Sequence, residues 1–257
     1  MHVGVLSSRR MASVALAFVL AFASPVVFAA ELTISAAASL GDAFRDIGRA
    51  FESAHPDTKV QLNFAASGAL LQQIAKGAPV DVFASADEET MDRAEQQKLI
   101  RHGSRVDFAA NALVVVVPRD AASSPKTLAD LAATSIRRIA IGLPASVPAG
   151  RYARFALDKA KLWPAIEAKV IGAQSVRQGL DYVARGEVDA GFVYATDAAL
   201  EVDKVRVAFV VPTDPPVRYP IAIVEGSGNL AAARGFVAFV ASLAGQDTMA
   251  RYGFGKP

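Results

Sequence analysis

From residue 32 onward, short runs rich in Val, Ile and Ala alternate with longer stretches whose apolar residues recur at helical spacing. This alternation constrains the fold more than any single motif. Strand–helix–strand units pair their strands in parallel and cover the sheet with helices, so the chain reads as α/β. Strands are expected at 32–37, 60–64, 80–84, 112–117, 138–142, 169–172, 190–194, 205–211 and 221–225. The helix after the first strand carries Ala43, Phe44, Ile47, Ala50, Phe51 and Ala54 on one face and stops at His55-Pro56. Further helices are expected at 67–76, 87–96 with Asp87 as N-cap, 127–133, 148–162 opened by Pro148, 175–185 capped by Ser175, 229–242 and 246–252.

The first thirty residues stand apart from this pattern. Arg9 and Arg10 precede an apolar run from Met11 to Phe28, which ends in the small residues Ala29 and Ala30. A basic segment, an apolar core and a small-residue cleavage site make an export signal over residues 1–29. The core is short for a membrane span, and Pro25 sits where a peptidase would cut. About 228 residues then remain, enough for one large domain or two small lobes with a proper core. The whole chain has 27 basic and 25 acidic residues, and the signal removes two arginines and no acid, so the mature protein is formally neutral. Neutrality gives no electrostatic case for nucleic acid or anionic membranes as partners.

Cysteine is absent, so disulfides, thiol nucleophiles and thiolate metal sites are excluded. His2 lies in the signal, and His55 and His102 are far apart with no His or carboxylate at ligand spacing. A zinc site or a His-based triad is therefore not expected.

Several strand-to-helix junctions repeat one chemistry. Ala37-Ala38-Ser39-Leu40, Ala65-Ala66-Ser67-Gly68, Val147-Pro148-Ala149-Gly150 and Ser175-Val176-Arg177 all place small or hydroxyl residues at a helix start. Helix starts carry unsatisfied N–H groups and a positive dipole end, which suits an anion. The plainer reading is that each serine caps its own helix and each Ala or Gly only permits close packing. Composition and periodicity reach an exported α/β protein able to seat an anion, and go no further.

At these residues the chain resembles the periplasmic molybdate-binding proteins of ABC importers. The similarity runs in order through Ser35-Ala36-Ala37-Ala38-Ser39-Leu40, Phe64-Ala65-Ala66-Ser67-Gly68, residues 77–86, Val147-Pro148-Ala149-Gly150-Arg151-Tyr152, Gly191-Phe192-Val193-Tyr194, residues 219–226 and Arg251-Tyr252-Gly253-Phe254. It implies a type II periplasmic-binding fold, with two lobes, each a mostly parallel sheet flanked by helices, closing over a ligand. The chain would cross between lobes near Asn111–Ala112 and near Tyr219–Pro220, giving 30–111 with 220–257 as one lobe and 112–219 as the other. Carried over by position, Ser39 and Ser67 would offer hydroxyl and backbone N–H, Ala149 and Val176 backbone N–H, and Tyr194 its phenolic O–H. Molybdenum would be held as molybdate through those five residues, with no side chain bound directly to the metal and no cofactor. One departure is visible, because relatives often carry a further hydroxyl where this chain has Ala66 and Gly68.

The resemblance further implies a monomeric, non-enzymatic periplasmic protein that passes molybdate or tungstate to a permease and ATPase at the inner membrane. Sulfate, thiosulfate or an organic anion on the same fold is the alternative ligand, and Arg151 or Arg177 inside the pocket would favour the organic one. A periplasmic serine hydrolase using Ser39 or Ser67 is the alternative from another class; it lacks a positioned histidine. Arg151 and Arg177 are expected in surface ion pairs, and Asp87-Glu88-Glu89 as an acidic first turn.

Overall fold

The computed structural model describes residues 1–2, 30–122 and 124–257. All but the first two residues of the expected export signal therefore lie outside the described residues. Two five-stranded sheets carry the fold. The first contains β1 (Ala30–Ala37), β2 (Thr58–Ala65), β3 (Val82–Ala84), β4 (Val106–Asn111) and β10 (Val217–Ile223), in the order β2-β1-β3-β10-β4. The second contains β5 (Leu113–Pro118), β6 (Ile139–Gly142), β7 (Val170–Ala173), β8 (Ala190–Tyr194) and β9 (Val205–Val211), in the order β7-β6-β8-β5-β9. Helices α1 (Gly41–Ala54), α2 (Ser67–Ala75), α3 (Glu88–Gln96), α8 (Leu230–Ala241) and α9 (Leu243–Arg251) belong with the first sheet. The second is flanked by α4 (Pro148–Lys159), α5 (Trp163–Ile166), α6 (Val176–Ala184) and α7 (Ala195–Leu200).

The expectation of mostly parallel sheets needs correcting. In each sheet two pairings are parallel and two antiparallel: β1 with β2 and β3 against β10 with β3 and β4, and β6 with β7 and β8 against β5 with β8 and β9. The cause is the route of the chain. Strands joined through helices, as in β1-α1-β2-α2-β3, return in the same direction. By contrast, β5 and β10 are each reached directly from the other sheet and enter reversed.

The return to the first sheet falls in residues 212–216, ahead of β10, not at Tyr219–Pro220. Proline cannot donate to a ladder, which hides this strand's start from a sequence reading. The structure accommodates Pro220 at a register shift between Tyr219 and Pro220 in the β10–β4 pairing. Strand β4 has no alternating signature either; pairing with β10 makes it a strand, at the edge of its sheet.

The cores follow the apolar pattern closely. Residues 113–117 of β5 are buried on both faces, as a strand covered by helices requires. In α1 the stripe Phe44, Ile47 and Phe51 is fully buried. Phe236 of α8 meets Phe44 and Phe51 edge-on, with ring centroids 6.0 and 5.3 Å away. Phe236→Ala should therefore lower the unfolding free energy by about 3–5 kcal/mol, the range for emptying a buried aromatic site. Urea titration would show this as an earlier midpoint with an unchanged slope.

Candidate functional site

Ser39 lies in the single 3-10 turn Ala38–Leu40 that follows β1. Ser67 is the first residue of α2, just past β2. Ala149 is the second residue of α4, after Pro148, where the loop from β6 ends. Val176 opens α6 after β7, and Ser175 caps that helix by accepting the Gln178 N–H at 3.2 Å. Tyr194 ends β8. All five sit at the carboxyl ends of strands, where open α/β sheets bind ligands.

The structure brings all five together. They line one cavity between the lobes, completed by Ala37, Ala38, Ala66, Ala86, Val147 and Pro148, and no charged side chain reaches it. The cavity is small: about 10 Å³ is open to the centre of a water-sized sphere, enough for one compact species and far below a drug-sized pocket. The leading N–H groups of a helix have no partner within it. Those of Ser39, Ser67, Ala149 and Val176 donate to no described residue outside their own helices. Four residues at helix starts, their backbone donors without such partners, thus line one cavity.

Hydroxyl groups complete the lining. Ser67 Oγ accepts the Ala86 N–H at 3.0 Å, which leaves the serine's own proton for the cavity. Ser39 Oγ lies 3.0 Å from Tyr219 Oη. Tyr194 differs from the expectation of a free donor: its O–H donates to the Ala86 carbonyl of the other lobe at 3.1 Å. Burial pushes the phenols of Tyr194 and Tyr219 well above the usual tyrosine value, so both stay protonated.

Neither arginine lines the cavity, and neither is the plain surface pair expected from the sequence. Arg151 reaches from α4 to Asp87 of the other lobe, with Nε and Nη2 at 2.9 and 2.5 Å, and to Thr90 Oγ1 at 2.5 Å. Asp87 also caps α3 by accepting the Thr90 N–H at 3.3 Å. Arg177 on α6 holds Asp197 at 2.5 Å and crosses to Asp42 of α1 at 2.9 Å. Both arginines bridge the lobes, Arg151 to Asp87 and Arg177 to Asp42.

A backbone contact joins the lobes as well. The Gly68 N–H donates to Ser146 O at 2.9 Å, and a Cβ at position 68 would stand 2.8 Å from the Ser146 Cα and O. The hydroxyl residue that relatives carry beside this seat has no room at position 68. Three contributors escaped the sequence reading: Ala86, Asn111 and Tyr219. Ala86 acts through its peptide group, which leaves no trace in residue type. Tyr219 and Asn111 become meaningful only when they meet Ser39.

Residues 32–255 match the family described as bacterial extracellular solute-binding proteins, and the chain belongs to that family. Its members bind solutes outside the cytoplasm. The molybdate-binding protein ModA of Escherichia coli is 37% identical over 229 residues, covering 87% of this chain and 88% of its own. ModA of Haemophilus influenzae is 34% identical over 230 residues, covering 88% and 90%. The solved periplasmic molybdate-binding protein of Azotobacter vinelandii superposes with a TM-score of 0.78, covering 88% of this chain and 99% of that one; at 24% identity this is a likeness of fold. Among the described residues no helix is long and apolar enough to cross a membrane.

The buried Asp197–Arg177 pair makes a testable demand. Burial pushes the Asp197 carboxyl up, and the Arg177 guanidinium pulls against it. A carboxyl whose native pKa exceeds its unfolded value gives stability that is complete below the unfolded value and lost as pH rises through the native one. Removing Arg177 moves that native value further up. Arg177→Met should therefore cost about 3–5 kcal/mol at neutral pH, where it strands a buried charge. Acidification through the carboxyl's raised range should recover part of that loss, read by urea unfolding at several pH values.

Proposed function

We propose that this solute-binding protein captures molybdate, with tungstate as its near-equivalent, in the periplasm and delivers it to the permease and ATPase of an ABC importer. One observation carries the reading: residues from both lobes, far apart in sequence, surround one small cavity with hydrogen-bond donors and no charged side chain. A fully ionised tetrahedral dianion needs donors and no acceptors, and several charge-assisted hydrogen bonds replace a cationic clamp. The nearby carboxylates of Asp87 and Asp197 are each paired with an arginine at the rim, so they do not repel an anion in the centre. The metal would be held only through its oxygens, by Ser39, Ser67, Ala149 and Val176, and by Tyr194 once its O–H turns from the Ala86 carbonyl to the anion. Molybdate is the ligand named for the E. coli and H. influenzae relatives, which supports that choice among tetrahedral dianions.

The same geometry supports a binder over an enzyme. Ser39 Oγ is partnered by Tyr219 and Ser67 Oγ by the Ala86 N–H, so neither has a His or Lys base beside it among the described residues. An organic carboxylate would call for a guanidinium fork in the cavity, and both candidate arginines are spent at the rim. Residues 1–29 would route the chain for export and be removed, and the mature protein would work as a monomer without a cofactor.

Titration calorimetry with molybdate, tungstate and sulfate tests the ligand directly. Heat from molybdate and tungstate, and little from sulfate, is the expected result; tight sulfate binding without molybdate heat overturns it. Ser67→Ala should raise the molybdate Kd roughly 10- to 100-fold, the loss of one charge-assisted hydrogen bond. Gly68→Ala should hold the lobes apart at Ser146, so the scattering radius should stay larger in saturating molybdate than that of the unsubstituted protein.

A further inference from the structure

The chain passes between the lobes twice, through Ala112 from β4 to β5 and through residues 212–216 before β10. Ala112 is the only residue between its two strands, and both of its polar groups are held. Its N–H donates to Asn111 Oδ1 at 2.9 Å, and its carbonyl accepts the Ala195 N–H of α7 at 2.9 Å. Any rotation of one lobe against the other must be absorbed here, in 212–216 or in the end of β4. On its own that end would be weakly held. Strand β4 lies at the edge of its sheet, and its ladder with β10 slips register between Tyr219 and Pro220, where the proline offers no N–H.

The C-terminal tail makes up the loss. After α9 the chain turns at Gly253, whose φ of +83° is a left-handed conformation that suits glycine. Phe254 is buried and meets Tyr219 of β10 edge-on, with ring centroids 5.4 Å apart. Gly255 then pairs with Ala110 on the open edge of β4. The Ala110 N–H donates to the Gly255 carbonyl at 2.8 Å, and the Gly255 N–H donates to the Ala110 carbonyl at 2.9 Å. Further back along the same edge, Gln246 of α9 donates to the Phe108 carbonyl at 3.0 Å. The tail also reaches the other lobe, since a Cβ on Gly253 would lie 3.7 Å from Thr196 Cγ2 of α7.

We propose that residues 253–255 form a strap over the β4–β5 crossing, which keeps bending out of β4 and limits how far the lobes part when the cleft is empty. The inference rests on the reading of a cleft that closes over its ligand, and goes beyond it to what bounds the open form. With the edge of β4 covered, bending falls on Ala112 and on 212–216. A narrower range of open forms lowers the cost of bringing the two halves of the cavity together. The strap therefore contributes to affinity without touching the anion.

The experiment measures the distance between two nitroxide labels, one on each lobe, by pulsed electron resonance. The chain has no cysteine, so Lys76→Cys on one lobe and Asp181→Cys on the other, both at exposed positions, take the labels alone. With the full tail, saturating sodium molybdate should shorten the distance. Ending the chain after Gly253 should lengthen and broaden the ligand-free distance and leave the molybdate-bound one unchanged. The molybdate Kd should rise about 3- to 10-fold, through a smaller closed fraction. Ending the chain after Gly255 should change none of these, because the exposed Lys256 and Pro257 lie beyond the bridge. Gly255→Pro removes one of the two bridge hydrogen bonds and leaves Phe254 in place. It should lengthen the ligand-free distance by less, and carries the test if the shorter chain melts below the assay temperature. A ligand-free distance that stays the same in both variants overturns the strap. Equal lengthening with and without molybdate, which a merely structural role would give, overturns it too. A full-length protein that binds molybdate with no change in distance overturns the closing cleft, and the strap with it. Absence of molybdate binding overturns the ligand reading instead, and the ligand-free distances still decide the strap.

Discussion

Buried backbone N–H groups must find partners, and a helix cannot satisfy its own first ones. In this protein four residues at helix starts line one small cavity, and much else in the structure is consistent with serving their donors. The lining must be small, so Ala37, Ala38, Ala66, Ala86 and Ala149 surround it. The backbones must approach closely, so Gly68 lies against Ser146, and Gly150 lies where a Cβ would stand 1.8 Å from the Gly142 carbonyl oxygen. Charge must stay outside, and it does: each carboxylate near the rim is matched by an arginine.

The two lobes are joined around this centre by contacts of two kinds. Arg151 with Asp87 is a nearly buried pair, whereas Arg177 with Asp42 is partly solvated and adds only modestly to the joining of the lobes. Inside them lies a neutral layer. Ala86 ties its own lobe together through its N–H, which Ser67 accepts, and reaches the other lobe through its carbonyl, which accepts the Tyr194 hydroxyl. Ala86 belongs to one lobe and Tyr194 to the other, so the same contact that bridges the cleft also forms part of the cavity wall. Asn111 does the same work from the crossing strand, with one amide proton on Thr196 and the other on Tyr219.

Legibility in the sequence tracked how local each determinant was. The apolar stripe of α1, the Asp87 and Ser175 caps and the continuous run of β5 are set by nearest neighbours along the chain, and all were readable. Strand β4 and the start of β10 were not, since both owe their structure to pairing with each other, and Pro220 argues locally against a strand. The mixed sheets were missed for a related reason: direction depends on whether a strand arrives by a helical crossover or straight from the other sheet. At the site, the junctions that hold Ser39, Ser67, Ala149 and Val176 could be picked out because a helix start leaves a composition signature, while those residues and Tyr194 were singled out by the family resemblance. Ala86, which acts through its peptide, leaves none.

The sequence by itself determined an α/β chain with no thiol or histidine chemistry, equal numbers of basic and acidic residues over 30–257 and several donor-bearing helix starts. Those properties depend on residue type and short-range spacing, which the chain carries wherever it folds. Only the tertiary structure decided that the helix starts converge, that Arg151 and Arg177 latch the rim instead of entering the cavity, and that Tyr219 stands behind Ser39. Ser39 and Tyr219 are 180 residues apart in the chain. Their hydrogen bond exists only because β10 returns antiparallel beside β3, a placement fixed by the packing of both lobes and by no local preference of the residues themselves.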